Sequence, residues 1–489
     1  MDQQAAREGS GGGPGGTDWL ATWQLRAAFA ARLSTMYGRE VPAYATLVDV
    51  AREVNEDVLR ERGADAERLG AIGRVTAERH GAIRVGTPAE LAQVGRVFGA
   101  LGMRPVGFYD LREAAASAVP VVSTAFRPVD GVELARNPFR VFTSLLTPAD
   151  PRFFDAGLRA RLERFLGERE LFPAELLALA DRAETEQGLP GGAAERFLQL
   201  AVGAFKLSAE PVDRAWYETL ERVSAVAADI GGVRSTHINH LTPRVLDIDA
   251  LYRRMTDRGV RMIDAIQGPP KWEGPDVLLR QTSFRALDEP RALRQPDGSV
   301  VRGALRVRFG EVEARGIALS RRGRALYDAL LARLDAEGAA GAHAGAAPTR
   351  ADRARALWSG HFPRTEHALA EHGLAHFTYH VVADRPRDGC TPPADLPGLL
   401  RAGWVRADPI VYEDFLPRSA AGIFQSNLDG SGTRKDGEEG AAYDSDWLSG
   451  AVGRDVLDPF ALYEGQQERS LGRVAEELGI GRVEVPSSV

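Results

Sequence analysis

Two histidines lie three residues apart in segment 236–244, which reads Thr-His-Ile-Asn-His-Leu-Thr-Pro-Arg. The centre of this segment is apolar and strand-like, and a helical pattern follows from 251 to 255. The segment therefore predicts a strand, a short loop and a helix. Histidine is scarce in this chain, with nine among 489 residues, and imidazole is a good ligand for Fe, Zn, Cu and Ni. We expect a transition-metal site on this strand.

The spacing of His237 and His240 limits how they can act together. An odd offset on a strand turns two side chains to opposite faces, so both cannot easily ligate one metal. One histidine is expected to be a ligand and the other a hydrogen-bonding structural residue. The spacing alone leaves open which is which.

A second predicted strand carries carboxylates about seventy residues later. Glu311, Glu313 and Arg315 share one face at a period of two. A Glu–Arg pair on a solvated strand face is one interpretation, and a metal ligand is the other. Two imidazoles and one carboxylate form the recurrent facial set for non-haem Fe(II), which leaves three coordination positions open. His80 is a candidate for the remaining imidazole.

His80 begins a predicted strand that ends near Val85. Arg84 follows His80 at an even offset, which places both side chains on one face of a strand. The spacing is also compatible with a surface histidine and an unrelated arginine. Thr87, Pro88 and Glu90 then predict a helix start with an N-cap, a proline at N1 and a glutamate at N3.

Composition narrows the class of protein. Hydrophobic residues make up 44% and charged residues 26%, as in ordinary globular proteins, and the net charge of −7 argues against nucleic acid and anionic membranes as partners. A single cysteine, Cys390, excludes an internal disulfide and a multi-cysteine metal site. The sequence contains no apolar run long enough to span a membrane and no signal-peptide pattern, so a cytoplasmic location is expected.

Sequence patterns divide the chain into five parts. They are a disordered Gly-rich tail (1–17), an N-terminal half with a strand–helix block and a helical insertion (18–230), a second block that carries the histidine and glutamate candidates (231–335), an exposed Ala/Gly-rich loop (336–352), and a C-terminal region that completes the pocket (353–489). Within the second block, Pro296-Asp297-Gly298 predicts a hairpin.

A rival cluster of histidines lies between 367 and 380. His372 and His376 have the spacing of two ligands on a helix, but Gly373 is typical of a helix C-terminus and breaks the helix between them. A structural or surface role is therefore favoured for this cluster. Cys390 has no histidine at short spacing, which disfavours a nucleophilic role.

Four strings, in matching order, resemble the bacterial 2-oxoadipate dioxygenase/decarboxylase family. The resemblance runs from about Trp19 to about Leu462. It rests on the strings 237–244 (His-Ile-Asn-His-Leu-Thr-Pro-Arg), 279–284 (Leu-Arg-Gln-Thr-Ser-Phe), 309–319 (Phe-Gly-Glu-Val-Glu-Ala-Arg-Gly-Ile-Ala-Leu) and 412–424 with its Tyr-Glu-Asp-Phe-Leu-Pro start.

The resemblance implies an α+β fold, in which a sheet core similar to the vicinal oxygen chelate fold of hydroxymandelate synthase carries extensive helical additions. It implies one bound Fe(II) and the conversion of 2-oxoadipate and O2 to D-2-hydroxyglutarate and CO2 in lysine catabolism. Two other classes remain as alternatives: a metal-dependent hydrolase or isomerase on the same fold, and a non-catalytic binding protein. The oligomeric state stays open and is compatible with a monomer.

Carried over to this chain, the resemblance implies specific residues. It favours His240 over His237 and Glu311 over Glu313, and it implies that His80 completes the metal site. The family's substrate-holding arginine falls on Arg84. Gln281 and Ser419 are implied as polar substrate contacts, and Arg418 stands where the family has a valine, so it is a further candidate contact.

Overall fold

The computed structural model describes residues 18–113, 119–306, 308–340, 349–385, 391–427 and 439–485. The strands are β1 (Trp19–Ala21), β2 (Arg79–Val85), β3 (Arg104–Asp110), β4 (Val121–Arg127), β5 (Arg140–Leu146), β6 (Gly188–Pro190), β7 (Val212–Asp213), β8 (His240–Pro243), β9 (Leu279–Phe284), β10 (Glu289–Arg294), β11 (Val300–Leu305), β12 (Gly310–Arg315), β13 (Phe377–Val381) and β14 (Val405–Pro409).

Helices surround these strands. They are α1 (Thr22–Glu40), α2 (Pro42–Arg62), α3 (Ile72–Ala77), α4 (Pro88–Gly99), α5 (Gly131–Arg136), α6 (Ala156–Gly167), α7 (Ala174–Glu186), α8 (Gly191–Ala204), α9 (Arg214–Glu221), α10 (Ala225–Gly231), α11 (Ile248–Asp257), α12 (Arg321–Ala340), α13 (Arg350–His361), α14 (Glu366–Glu371), α15 (Leu396–Arg401), α16 (Pro417–Asn427), α17 (Ser445–Val452) and α18 (Pro459–Leu478). The predicted α+β class with extensive helical additions matches this architecture.

The central sheet has the strand order β3-β4-β5-β2-β8. β2 lies parallel to β5 and antiparallel to β8. β12 adjoins β8 through a parallel bridge between Arg244 and Glu313, and β12 pairs antiparallel with β9. The strand that begins the second predicted block therefore lies beside the first predicted histidine strand. Both blocks also share an order of strand, helix and further strands, β2-α4-β3 and β8-α11-β9.

Several local predictions are confirmed. The predicted strand at 80–85 is β2, and the Thr87 hydroxyl accepts a hydrogen bond from the Glu90 amide at 3.2 Å while the Glu90 carboxylate accepts one from the Thr87 amide at 3.2 Å. Pro296-Asp297-Gly298 connects β10 to β11, which pair antiparallel. The described residues contain no helix that is both long and apolar enough to cross a membrane.

One boundary prediction is wrong. The sequence predicts an exposed loop at 336–352, but α12 continues to Ala340 and α13 begins at Arg350. Alanine has the highest intrinsic helix propensity, so an Ala-rich stretch after an established helix extends it. Residues 341–348, with His343, lie outside the described residues, as do the predicted tail 1–17 and Cys390. The division at 18–230, 231–335 and 353–489 stays a prediction.

A buried layer of ion pairs lies on one face of this sheet. Glu78, immediately before β2, is fully buried and its carboxylate lies 2.8 Å from Arg140 Nη1, 2.9 Å from Arg244 Nη1 and 3.5 Å from Arg315 Nε. Burial alone raises the pKa of Glu78, but the guanidinium groups outweigh it and hold the pKa well below its usual value. One carboxylate thus ties together arginines from β5, the end of β8 and β12.

Glu78→Gln should strongly destabilise the protein. The change keeps the side-chain shape but leaves buried guanidinium groups without their shared counter-charge, which costs about 3–5 kcal/mol when a buried pair is broken. Chemical denaturation of the metal-free protein measures the loss. Glu175→Gln removes an exposed partner of Arg196 and serves as the control, for which we expect no measurable change. Equal stability of both variants would contradict this role of Glu78.

Candidate metal centre

Three neighbouring strands each contribute one potential ligand. His80 lies opposite Thr242 and His240 lies opposite Ala82 in the antiparallel β2–β8 pair, so both histidines occupy the same face of the sheet. Glu311 on β12 is two residues before Glu313, which bridges to Arg244 immediately after β8, and this places Glu311 on that face as well. One ligand atom each of His80, His240 and Glu311 lies within 4.8 Å of the others.

Glu311 lies between the two imidazoles. Its Oε2 is 3.6 Å from His80 Nε2, and its Oε1 is 3.3 Å from His240 Nδ1. The two rings meet edge to face with centroids 5.5 Å apart. All three side chains are buried, with 1% to 5% of each exposed. The geometry therefore brings two imidazole nitrogens and one carboxylate to a single point away from solvent.

The electrostatics of this cluster suit a bound cation. Burial lowers the pKa of His240 well below its usual value, with His80 and Arg84 adding to the effect, so this imidazole is neutral and free to donate a lone pair. Burial also raises the pKa of Glu311, because an isolated carboxylate is poorly solvated here. A divalent cation would accept the lone pair of the neutral His240 imidazole and would balance the charge of the buried Glu311 carboxylate.

The donor set fits a metal ion. His240 Nδ1 is buried and makes no hydrogen bond within the described residues, although it faces Glu311. An unpaired nitrogen in such a position costs free energy unless it finds a ligand partner. Two imidazoles and one carboxylate match the facial set for non-haem Fe(II), and the set also accommodates Zn(II) or Mn(II). In the described part of the chain, this is the one group of His, Cys, Asp and Glu side chains with metal-site spacing.

Glu313 contacts His80 but is not part of the three-residue cluster. Its Oε2 lies 2.8 Å from His80 Nδ1, on the ring edge away from Glu311. Arg315 donates two hydrogen bonds to the Glu313 carboxylate, at 2.7 and 2.9 Å. Burial alone raises the pKa of Glu313, but Arg315, His80 and Arg140 outweigh it and bring the pKa to about 2. A carboxylate that holds the second nitrogen of a ligand imidazole fixes the orientation of the ring.

His237 faces a different cluster. Its Nε2 lies 3.4 Å from Asp229 Oδ1 and 3.1 Å from Asn239 Nδ2. Burial lowers the pKa of His237 to about 4, although Asp229 opposes the shift, so the ring is neutral near pH 7. The expectation that one histidine of the pair is a structural hydrogen-bonding residue agrees with this placement.

Arg84 lies in the same cluster as His237, beside the candidate ligands. Its Nη1 pairs with Asp229 Oδ2, which also accepts a hydrogen bond from Asn239 at 2.9 Å. The Thr236 hydroxyl donates to the Arg84 carbonyl at 2.8 Å. The Arg84 charge is close enough to influence both His240 and Glu311. Its guanidinium is therefore held in place at the edge of the candidate site.

The three remaining predicted substrate contacts differ in where they lie relative to the candidate metal centre. The Gln281 amide on β9 donates to Glu311 Oε2 at 3.4 Å. Ser419 on α16 is 4% exposed and lines a cavity that Gln267 also lines. Arg418 is exposed and pairs with Asp335 at 2.5 Å. The structure thus brings Gln281 to the candidate metal centre and places Arg418 on the surface.

Comparison with known proteins agrees with this site. Residues 29–427 match the family model described as 2-oxoadipate dioxygenase/decarboxylase. A Mycobacterium tuberculosis protein of that name is 56% identical over 452 residues, which cover 92% of this chain and 98% of that protein. A Pseudomonas putida protein of that name is 42% identical over 477 residues, 95% of this chain and 99% of that protein.

This chain belongs to the 2-oxoadipate dioxygenase/decarboxylase family. The crystal structure of hydroxyglutarate synthase from Pseudomonas putida in complex with 2-oxoadipate aligns with a TM-score of 0.80 at 40% identity, covering 95% of this chain and all of that chain. The predicted family and the predicted fold class are confirmed. The ligand set in this family member stays a proposal.

Sequence reasoning missed two features of the site. Asp229 and Asn239 hold Arg84 and His237, and an acidic residue within the apolar run of α10 was the available signal for Asp229. The second feature is aromatic: Phe415 meets the His80 ring edge to face at 5.0 Å, and the Phe309 and His240 rings lie 5.2 Å apart. These rings pack against the candidate ligand imidazoles, of which only 1% and 4% are exposed.

The rival histidine cluster does not form a second site in the described residues. α14 ends at Glu371, as the glycine predicted, and His372 is exposed while His376 is buried against Tyr463 at a ring separation of 5.8 Å. Burial lowers the pKa of His376 to about 4, so it behaves as a neutral core residue.

Variants of the two neighbouring histidines should differ in metal retention. His240→Ala removes a ligand and should abolish stoichiometric metal binding, whereas His237→Ala should retain one ion per chain because His237 contacts Asp229. Anaerobic loading with Fe(II), followed by metal analysis, measures the difference. Retention by His240→Ala with loss by His237→Ala would reverse the assignment.

The two glutamates give a second test of the same centre. Glu311→Gln should lose the metal, whereas Glu313→Gln should keep the site and weaken it by about 10- to 100-fold, as is typical when the support of a ligand histidine is removed. Circular dichroism of both variants checks that they remain folded.

Proposed function

We propose that this protein is an Fe(II)-dependent dioxygenase and decarboxylase that converts 2-oxoadipate and O2 to D-2-hydroxyglutarate and CO2, as in lysine catabolism. The observation that carries the proposal is the buried cluster of His80, His240 and Glu311 in a chain of this family. A facial set of three protein ligands leaves coordination positions for a 2-oxo acid and for O2. Bound Fe(II) would supply the electrons that O2 activation requires.

The atoms of the reaction balance without a further co-substrate. 2-Oxoadipate loses its first carboxyl group as CO2, and the former keto carbon becomes a carboxylate by gaining one oxygen atom from O2. The second oxygen atom enters the neighbouring C–H bond as a hydroxyl group. Both oxygen atoms therefore end in 2-hydroxyglutarate, and no separate 2-oxo acid is consumed.

Arg84 is assigned the distal carboxylate of the substrate. A planar guanidinium binds a carboxylate through two parallel hydrogen bonds, and Arg84 lies beside His240 and Glu311 on the ligand face of the sheet. Burial raises the pKa of Asp229, but His237 and Arg84 outweigh it, so the pKa falls below its usual value and the carboxylate stays charged. Asp229 then fixes the direction of the guanidinium, which is a positioning effect on the C–H bond to be hydroxylated.

Gln281 and Ser419 are assigned polar contacts to the substrate. Gln281 already donates to Glu311, so its amide can orient that carboxylate, while its side-chain oxygen is buried and makes no hydrogen bond within the described residues. Phe415 and Phe309 shield the ligand imidazoles from water, which strengthens charge interactions inside the site. We do not assign Arg418 an anchoring role, because it pairs with Asp335 at the surface.

Labelled oxygen tests the reaction class. With 18O2 and no second 2-oxo acid, one label should appear in the hydroxyl group and one in a carboxylate of 2-hydroxyglutarate. Mass spectrometry of the product measures both positions, and oxygen consumption should equal product formation. A product that carries no label from O2 would favour a hydrolase or isomerase that uses Zn(II) or Mn(II) at the same ligands.

Arg84→Ala should impair diacid turnover without loss of metal. A charge-assisted pair of hydrogen bonds contributes about 1.5–3 kcal/mol, so kcat/KM for 2-oxoadipate should fall by about tenfold to a few hundredfold. Arg84→Lys should recover only part of the loss, because an ammonium group cannot reproduce the two parallel bonds.

Arg418→Val provides the comparison for this test. It changes an exposed arginine to the residue expected from the family pattern, and it should leave turnover far less affected. If Arg84→Ala turns over the diacid normally while Arg418→Val does not, the anchoring role belongs to Arg418.

A further inference from the structure

A cavity of about 890 Å³ lies beside α16, between α12, α13 and the segment that precedes β9. Ser419 and Gly422 of α16 line it, and so does Gln267 from the segment before β9. Gly422 packs directly against the Gln267 side chain, because a Cβ atom on Gly422 would lie 2.9 Å from Gln267 Oε1. A larger side chain at 422 would therefore displace Gln267.

This end of the cavity adjoins the metal centre. Gln267 pairs with Gln281 through two backbone hydrogen bonds, of 2.7 and 3.0 Å, and the Gln281 amide donates to Glu311. The last residue of α16, Asn427, donates to the Ser283 hydroxyl at 2.7 Å, and Ser283 lies opposite Glu311 in the β9–β12 pair. α16 is thus fastened to the sheet at the position of a candidate ligand, and the same helix lines the cavity with Ser419 and Gly422.

The rim of the cavity is rich in cations, although the whole chain has a net charge of −7. Two carboxylates each hold two cations: Asp335 pairs with both Arg350 and Arg418, and Asp249 pairs with both Arg280 and Lys271. Each pairing leaves a surplus positive charge at the rim. Arg355 adds another exposed cation, and Asp264 is a carboxylate at the same rim.

A second cavity near the centre has the opposite character. It measures about 510 Å³ and is lined by Phe415, Tyr109 and other apolar side chains. Its exposed cation Arg321 is matched by two carboxylates, Asp458 and Glu464. The two cavities flank the turn that runs from Phe415 to Ser419, and only the first has a surplus of positive charge.

We propose that the cavity beside α16 is the path by which the dianionic substrate reaches the metal centre, and that its rim cations steer the substrate inward. The proposal rests on the proposed function. It also gives a role to Arg418, which is a rim cation in this chain and not an anchor in the site. Clefts lined by one sign of charge raise the local concentration of an oppositely charged ligand, and the effect weakens as salt shortens the Debye length to about 10 Å at 0.1 M.

Charge reversal at the rim tests the path. Lys271→Glu and Arg355→Glu change exposed side chains that lie away from the ligands, so folding and metal content should persist. Each reversal should lower kcat/KM for 2-oxoadipate by about threefold, and the double variant by about tenfold, at an ionic strength near 10 mM. The losses should shrink to within about twofold at 0.5 M salt. kcat at saturating substrate should stay unchanged.

Two further variants sharpen the test. Arg302→Glu makes the same change of net charge on an exposed position of β11 outside the cavity, and it should have no effect. Arg321→Glu makes the change at the apolar cavity. Isothermal calorimetry of 2-oxoadipate with the iron-loaded protein, without O2, measures the same salt dependence in equilibrium binding.

The possible outcomes separate the two proposals. If the wild type does not turn over 2-oxoadipate, the proposed function fails. If the wild type is active but Lys271→Glu and Arg355→Glu bind and react normally at low salt, the path is wrong. A loss of kcat/KM in Arg321→Glu alone would assign the path to the apolar cavity. An equal loss in Arg302→Glu would show that the net charge of the whole protein causes the effect, which would contradict a path at the α16 cavity.

Discussion

The pairing of β2 with β8 is the constraint on which the site depends. These strands are about 160 residues apart in sequence, yet their register places His80 opposite Thr242 and His240 opposite Ala82. A slip of one residue would turn every side chain of one strand to the other face, so the two imidazoles would no longer face Glu311 together. The Tyr37 hydroxyl reinforces this arrangement, because it lies 3.0 Å from the Asn239 carbonyl and 2.7 Å from the Phe309 carbonyl, immediately before both ligand strands.

The same face of the sheet also carries several buried ion pairs. Ion pairs of this kind cost desolvation, and replacing them by apolar residues is often neutral or stabilising, so stability alone does not explain them. Their chemistry offers a reason here: Glu313 holds the second nitrogen of His80, and Arg315 and Arg140 keep that glutamate charged. The Glu78 carboxylate then balances the positive charges of Arg140 and Arg315. We infer that the charge layer exists to orient one ligand imidazole.

Local features were predictable from the sequence, and long-range ones were not. The Thr87 cap, the β10–β11 hairpin and the odd offset of His237 and His240 follow from neighbours within a few residues, and all agree with the structure. The alternation of side chains along a strand could not show whether Glu311 or Glu313 belongs to the cluster with the histidines, because both glutamates face the same side of β12. It also could not show that this face is buried. The Asp229 clamp on Arg84 joins residues 145 positions apart, and no local pattern reports such a contact.

Charge acts at two ranges in the proposed recognition of a diacid. At short range, geometry decides: Arg84 is buried and directed by Asp229, so its contribution should survive high salt. At long range, the sum of charges around the α16 cavity determines how strongly a dianion is attracted. One exposed cation of the rim can then stand in for another, as long as the rim keeps its surplus of positive charge. On this proposal, Arg418 acts through its charge at the rim and not through a contact in the site, because it pairs with Asp335 at the surface. At the rim, the position of a charge matters less than its sign.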